Sequence, residues 1–153
     1  MIKKVAALVV LVMVAAIFVA GCDNKNPTNT SAGVAVTVNA QTTRDQLGSY
    51  PLQSTPQPGY KYSVFNVTVT NLNKNNLAMG NPLYFKLTTN DGTVYSYSTS
   101  SYWLGNEINP VSGTNPGEKV TGQIAFEIPQ SASPTQLTYN DGILGNIVTT
   151  NLG

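Results

Sequence analysis

The residues that could perform acid–base or metal chemistry are few in this sequence and lie far apart. Five of the seven acidic residues fall in different predicted turns and strand faces: Asp91, Glu107, Glu118, Glu127 and Asp141. A glycosidase needs two carboxyl groups about 5–10 Å apart across one cleft, and this spacing predicts no such pair. The chain has no histidine and one cysteine, so Ser-His-Asp triads, zinc sites and haem sites lack their usual residues. We therefore expect a non-enzymatic protein without a metal or a cofactor.

Aromatic side chains next to hydroxyl groups form a second candidate site. They lie in the segment YSYSTSSYW, residues 95–103, and this combination is typical of surfaces that bind sugars or peptides. We take Tyr102 and Trp103 as the candidate ligand-binding residues, with a glycan or a peptide as the ligand. In the alternative interpretation Tyr95 and Tyr97 point inward and Trp103 caps the core, while Tyr102 stays exposed.

The aromatic segment continues into a stretch, residues 98–117, that has no clear strand pattern. Structureless segments of about 20 residues are uncommon in a compact domain. Two interpretations are therefore open. Residues 104–111 contain another short strand, or the stretch forms a binding surface.

The only cysteine, Cys22, ends an apolar N-terminal segment. Two lysines precede an uncharged run over residues 5–20, which is the pattern of a secretory signal peptide. The run is shorter than the ~20 residues that a helix needs to span a bilayer. The sequence VAGC at its end resembles the lipobox of prokaryotic lipoproteins, which implies cleavage between Gly21 and Cys22 and lipidation of the Cys22 thiol. An uncleaved anchor and an ordinary signal peptide over residues 1–21 are the alternatives.

Lipidation of Cys22 implies a protein attached to the extracytoplasmic face of the cell membrane. Acyl chains such as palmitate gain roughly 0.8 kcal/mol per buried CH₂, and two or more chains anchor stably. Residues 22–33 contain no large apolar side chain, so we expect a flexible tether between the membrane and a domain over residues 34–153. A protein or a glycan at the cell surface is the expected further partner.

Two sequences match the acceptor pattern for N-glycosylation. They are Asn29-Thr30-Ser31 and Asn66-Val67-Thr68. Modification of Asn29 or Asn66 requires an organism that glycosylates its exported proteins.

The charge of the chain argues against nucleic acid as a partner. Removal of residues 1–21 would leave six basic and seven acidic residues. A nearly neutral chain lacks the basic patch that nucleic-acid binding needs. The remaining length suffices for one domain with a hydrophobic core.

Beyond residue 33 the apolar residues recur with a period of two, which predicts half-buried antiparallel strands. In GVAVTVNA, three valines share one face: Val34, Val36 and Val38. In YKYSVFNVTVTN we expect Ser63, Phe65, Val67 and Val69 to point inward, and Tyr62 and Val64 to point outward. LYFKLTT and KVTGQIAFEIP alternate in the same way, with Leu83, Phe85 and Leu87 inward in the former.

Turn signals separate these segments at intervals of eight to twelve residues. Asn90-Asp91-Gly92 lies between two strand patterns and is a strong hairpin signal. Pro-Gly pairs at residues 58–59 and 116–117 each precede a strand. About seven short strands in one domain favour an antiparallel β-sandwich, with a barrel as the alternative.

Several motifs in a fixed order resemble a family of small exported domains. They are VTVTN at 67–71, DG at 91–92, PGEKVTG at 116–122 and IAFEIP at 124–129. This order, after a lipobox and a polar tether, is similar to domain-of-unknown-function family 4352. The resemblance covers about residues 34–139 and implies an all-β, immunoglobulin-like sandwich attached to the cell surface, without an enzymatic activity or catalytic residues to transfer.

The motif residues also have structural interpretations. We expect Gly122 to allow a close approach or a bulge, and Asn71 to hydrogen-bond nearby backbone at a strand end. Two functional hypotheses remain. The first is a membrane-anchored surface lipoprotein whose sandwich acts as an interaction module, and the second is a glycan- or peptide-binding module that uses residues 95–117.

Overall fold

The computed structural model of the protein describes residues 28–31, 33–141, 145 and 147–153. Within these residues the regular structure is almost entirely β-strand. The described strands are β1 (Thr28–Thr30), β2 (Val34–Arg44), β3 (Leu47–Ser49), β4 (Leu52–Ser54), β5 (Tyr60–Asn71), β6 (Leu77–Met79), β7 (Phe85–Thr89), β8 (Val94–Ser96), β9 (Val111–Thr114), β10 (Lys119–Pro129), β11 (Pro134–Asn140) and β12 (Ile147–Asn151). Two short 3-10 helices, Pro82–Tyr84 and Thr99–Leu104, lie between strands.

The predicted signal peptide and the predicted cleavage and lipidation site at Gly21 and Cys22 lie outside the described residues. Among the residues that are described, no helix is both long enough and apolar enough to cross a bilayer.

Two antiparallel sheets form the domain. The described strands give the orders β1-β2-β5-β10 in the first sheet and β12-β11-β7-β8 in the second. Strands β2, β5 and β10 correspond in order to strands A, B and E of an immunoglobulin domain, and β7, β11 and β12 correspond to C, F and G. The predicted immunoglobulin-like β-sandwich is therefore confirmed, with eight described strands in its two sheets where the sequence predicts about seven.

The main core fills the space between the two sheets. The inward valines of β2 and the alternating apolar residues of β5 and β10 are all buried there, as predicted. Phe65 meets Phe126 edge to face at 5.9 Å between ring centroids, and Phe85 lies 4.8 Å from Tyr139. Burial of each such side chain contributes about 1.5–3 kcal/mol, so this core provides most of the stability.

The outer face of the first sheet is covered over part of its area. Tyr62 and Val64, predicted to point outward into water, are only 1% and 2% exposed. They form a second apolar cluster with Leu47 and Ala125, and Trp103 packs against it. The prediction is wrong because the β3–β4 hairpin and the Thr99–Leu104 helix fold over this part of the sheet.

The uncovered part of the same face is polar. A row of four threonines crosses the sheet in register, one from each strand: Thr28, Thr37, Thr68 and Thr121. Their hydroxyl groups pair at 2.8 Å between Thr28 and Thr37, and at 2.8 Å between Thr68 and Thr121. In this part of the first sheet, the prediction of strands with one solvent-exposed face is correct.

The predicted tether ends earlier than expected. Thr28–Thr30 pairs with β2 as an edge strand, so assignment of these residues to the linker 22–33 is wrong. The polar composition that suggested a linker also suits an exposed edge strand, because such a strand needs only backbone hydrogen bonds from its neighbour.

The start of β7 also differs from the prediction. Pro82–Tyr84 forms a 3-10 helix, so the predicted inward residue Leu83 is exposed. Asn81 caps this helix by accepting a hydrogen bond from Leu83 N at 3.0 Å, and proline suits the first helical turn because it needs no amide donor there. Local capping therefore overrides the alternating pattern until Phe85.

Two of the structural interpretations are correct. Asn71 is buried at the end of β5, where its Nδ2 donates to Asn75 O at 2.9 Å and to Thr114 O at 2.8 Å. At Gly122, a Cβ atom would lie 2.6 Å from Ile108 N, so only glycine lets the segment around Ile108 approach β10 this closely.

Candidate functional site

The candidate site begins at the 3-10 helix that carries both predicted aromatic residues. Ser98 caps this helix by accepting from Ser100 N at 3.3 Å, and Ser98 N donates to Ala125 O at 2.7 Å. The buried Ser101 hydroxyl accepts from Ala125 N at 2.9 Å. These contacts satisfy the backbone N–H and C=O groups of Ala125 at the edge of β10, and they fix the helix against the first sheet.

Three hydroxyl groups connect the helix to the β3–β4 hairpin. Ser54 Oγ lies 2.9 Å from Ser100 Oγ and 3.1 Å from Tyr62 Oη, and Tyr62 Oη donates to Ser100 Oγ at 3.2 Å. The triangle joins hairpin, helix and sheet. A rigid mounting of this kind suits a binding surface, because few side chains must be ordered on binding.

Tyr102 and Trp103 lie together in a groove on this surface. The groove has a volume of about 430 Å³ and is lined by Leu52, Tyr102, Trp103, Gly105, Glu107 and Asn109; we call it the aromatic groove. The two rings meet edge to face with centroids 5.4 Å apart. Tyr102 is 72% exposed, while Trp103 is half-buried against the second cluster.

The lining of the aromatic groove also includes a carboxylate, Glu107, and an amide, Asn109. Residues 106–108 pair with the edge of β10, where Ile108 N donates to Gln123 O at 2.9 Å and Gln123 N donates to Asn106 O at 2.8 Å. Asn109 Nδ2 donates to Glu107 O at 2.8 Å. Partial burial raises the pKa of Glu107 above its ordinary value.

Residues 98–117 do not contain the short strand expected within residues 104–111, because Glu107 forms only an isolated bridge there and the strand begins at residue 111. They contain the 3-10 helix, the bridge from Glu107 to Gln123 and strand β9, and they also supply most of the groove. The half-buried Tyr95 and Tyr97 pack against the main core, as the structural alternative expected. Trp103 packs on the second cluster rather than on the main core.

The sequence did not indicate Leu52 as a groove residue, and it covered Glu107 and Asn109 only as part of the candidate binding stretch 95–117, without singling them out. Leu52 is 63% exposed in β4, and the two polar residues gain their position only through pairing with β10. One signal for the covering hairpin was present. Tyr62, Val64 and Ala125 are apolar residues on a face that was expected to be wet.

Two other carboxylates, Asp91 and Glu118, have local structural roles. Hydrogen bonds from Thr89 Oγ1 at 2.6 Å and from Thr93 N at 3.0 Å lower the pKa of Asp91 within its turn. The Asn115 side chain and backbone likewise lower the pKa of Glu118. In the described part of the chain, no group of three or more His, Cys, Asp or Glu side chains is placed to hold a metal ion.

The two glycosylation candidates lie in the first sheet. Asn29 is in edge strand β1. Asn66 is in central strand β5, where its Oδ1 accepts from Asn39 Nδ2 at 3.1 Å. Modification at either asparagine stays a prediction.

Solved structures with a similar fold come from bacteria. A candidate lipoprotein, ycdA of Bacillus subtilis, aligns with a TM-score of 0.66 at 18% identity over 83% of this chain and 38% of its own. A conserved hypothetical protein of Bacillus anthracis aligns with a TM-score of 0.62 at 14% identity, over 82% of this chain and 91% of its own. The yjhA protein of B. subtilis aligns with a TM-score of 0.52 at 21% identity, over 73% of this chain and 76% of its own. The chain thus spans well under half the length of ycdA, and these likenesses show a shared fold.

No curated protein matches the sequence significantly. The profile of one protein family matches residues 24–147, which is most of the chain. The motifs at residues 67–71, 91–92 and 116–129 all fall within that range. The chain therefore belongs to the family described as domain of unknown function DUF4352.

Proposed function

We propose that this protein is a non-enzymatic, lipid-anchored module that binds glycans of the cell envelope in its aromatic groove. The observation that carries the proposal is the exposure of Tyr102, at 72%, on a helix that several hydrogen bonds hold in place. An aromatic ring on a rigid support offers a flat apolar surface at little cost in conformational entropy.

A glycan fits the groove better than a peptide does. Sugars present both apolar C–H faces and hydroxyl groups, and the lining of the groove combines the rings of Tyr102 and Trp103 with the polar side chains of Glu107 and Asn109. The strand next to the groove, β10, has its backbone groups at this edge already paired with residues 98 and 106–108. Addition of a peptide as a further strand is therefore not available here.

Membrane anchoring is supported by the sequence and by one relative. Two lysines, an apolar run and small residues follow one another and end at Cys22, which is the pattern of a lipoprotein signal. The similar structure of ycdA belongs to a protein described as a candidate lipoprotein. Replacement Cys22→Ser should release the protein from the membrane fraction, and its unchanged retention would contradict anchoring.

Tryptophan fluorescence tests the glycan proposal directly, since Trp103 is the only tryptophan. We expect titration with chitooligosaccharides, cello-oligosaccharides or peptidoglycan fragments to change its emission in a saturable manner. Tyr102→Ala should weaken binding roughly 3- to 10-fold, as expected for loss of one aromatic contact. Val94→Ala, at an exposed position on the second sheet, is the matched control and should bind normally.

Three results would overturn the glycan proposal. These are equal affinity of Tyr102→Ala and the unaltered protein, binding of peptides but of no glycan, and no response from any member of the panel. Release of new reducing ends from a bound glycan would contradict the non-enzymatic part.

A further inference from the structure

The charge of the aromatic groove has one sign only. Among the described residues that line it, Glu107 is the one charged side chain and none is basic. The lining otherwise consists of apolar, aromatic and amide groups. A wall of this kind attracts cationic groups of a ligand and repels anionic ones.

The Glu107 carboxylate has no partner in the described part of the chain. The backbone carbonyl of Glu107 accepts from Asn109 Nδ2 at 2.8 Å, but the side chain forms neither a hydrogen bond nor an ion pair there. The carboxylates of Asp91 and Glu118, in contrast, accept local hydrogen bonds. Partial burial without a compensating partner raises the pKa of Glu107, because it disfavours the charged form. A cation bound beside this carboxylate would offset that cost.

Asn109 adds a second acceptor to the lining. Its Nδ2 is already used by the carbonyl of Glu107, so its exposed side chain offers Oδ1 to a ligand. The polar side-chain atoms available in the groove are therefore acceptors. An ammonium group has three donors and no acceptor, so it suits this lining better than an amide or a carboxylate does.

The two aromatic rings favour a cation as well. The rings of Tyr102 and Trp103 lie at an interplanar angle of 81°, with centroids 5.4 Å apart. Their faces therefore point in different directions within one groove. The face of an aromatic ring is negative and attracts ammonium groups. Aromatic faces combined with an unpaired carboxylate are the chemistry that recognises organic cations.

We propose that the aromatic groove selects glycans whose sugar units carry a free amino group, such as β-1,4-linked glucosamine, over neutral, N-acetylated and acidic glycans. A sugar ring lies on Tyr102 and an ammonium group of the same glycan pairs with Glu107. The groove volume of about 430 Å³ falls within the range of about 300–1,000 Å³ that is typical of small-molecule sites. This inference rests on the proposed glycan-binding function and adds the class of sugar.

Four β-1,4-linked trisaccharides test the selection with the full chain. Cellotriose, the glucosamine trimer and the N-acetylglucosamine trimer differ only in the group at C2, and the glucuronic acid trimer carries carboxylates at C6. Titration calorimetry and Trp103 fluorescence measure each affinity. We expect the glucosamine trimer to bind roughly 3- to 5-fold more tightly than cellotriose, as for a partly exposed ion pair, and the glucuronic acid trimer to bind most weakly. Added salt should reduce these differences.

Glu107→Gln removes the charge and keeps the size of the side chain. This variant should bind the glucosamine trimer and cellotriose equally, and its unchanged affinity for cellotriose shows that the groove is intact. Asp45→Asn is the matched control, because it removes the same charge at an exposed position outside the lining. It should keep the full preference for the glucosamine trimer.

Four results would overturn the inference. These are equal affinity for the glucosamine trimer and cellotriose, a preference that persists in Glu107→Gln, an equal loss of preference in Asp45→Asn, and tighter binding of a lysine-containing peptide than of the glucosamine trimer. Equal binding of all neutral and amino trisaccharides would refute the selection and leave the glycan proposal standing, whereas no binding of any trisaccharide would refute both.

Discussion

The two faces of the β1-β2-β5-β10 sheet are both partly buried, but they are built in different ways. The inner face presents aliphatic and aromatic residues to a second sheet, and it makes the main core. The outer face is covered by a hairpin and a 3-10 helix over a cluster of only four fully buried residues, and serine hydroxyl groups hold this cover in place. Apolar packing therefore supports the fold, whereas directional hydrogen bonds shape the groove.

The largest expected effect tests the inner face. Phe126 is fully buried and packs on Phe65, so Phe126→Ala should lower the free energy of unfolding by about 3–5 kcal/mol. Chemical denaturation measures this loss. Trp103 emission in the folded state should not change, because Trp103 contacts the other face; a clear shift would show that the two faces are not separate.

Leu47→Ala applies the same kind of change to the outer cluster. We expect a loss of about 2–3 kcal/mol, at the low end of the range for buried leucine, because a small cluster under a hairpin can partly relax. Here Trp103 emission should shift to longer wavelength and glycan affinity should fall. An unchanged emission spectrum would contradict the assignment of Leu47 as a support for the groove.

Ser101→Ala tests the hydrogen bonds that hold the cover. It leaves the buried Ala125 amide without its acceptor, for which we expect a loss of about 1–3 kcal/mol. Hydrogen exchange should accelerate at Ala125 while remaining slow at Phe65. Ser131→Ala, in an exposed turn, serves as the control, and an equal effect of the two replacements would refute a specific role for Ser101.

Glu107→Gln should have the smallest effect, which appears as a pH dependence. Burial raises the pKa of Glu107 in the folded state, so its contribution to stability is present at acid pH and is lost as the pH rises through that raised pKa. The side chain is largely solvated, so we expect less than about 1 kcal/mol. Thermal unfolding measured across a range of pH should show that the variant lacks the pH-dependent stability contributed by Glu107. Identical pH profiles for the variant and the unaltered protein would contradict this prediction.

The sequence predicted the inner face well and the outer face poorly, for a physical reason. The alternation in β2, β5 and β10 identifies which residues share a side of a strand, and turn signals such as Asn90-Asp91-Gly92 set where strands end. Neither the alternation nor the turn signals indicate which other element packs on a given face of a sheet. Tyr62 and Val64 are apolar residues on the face that was expected to be exposed to solvent, which indicates that another element covers them. Only the tertiary structure shows that the β3–β4 hairpin is part of this cover.

The candidate site was predictable to the same limited extent. Tyr102 and Trp103 were identified because their residue types are typical of binding surfaces. Glu107 and Asn109 fell within the candidate stretch 95–117 but were not singled out, since their position depends on Gly122, which lets Ile108 approach β10. Such a long-range contact leaves no local pattern in the sequence.

Edge strand β1 has a consequence for the distance between the domain and the bilayer. Because Thr28 is already hydrogen-bonded into the sheet, only the peptide units from residue 22 to residue 28 can separate a lipidated Cys22 from the domain. At about 3.6 Å per residue they reach at most about 22 Å, roughly half of what a tether ending at residue 33 would allow. On the proposed anchoring, the protein samples only a thin layer next to the membrane, and its ligand is to be sought among molecules within that layer.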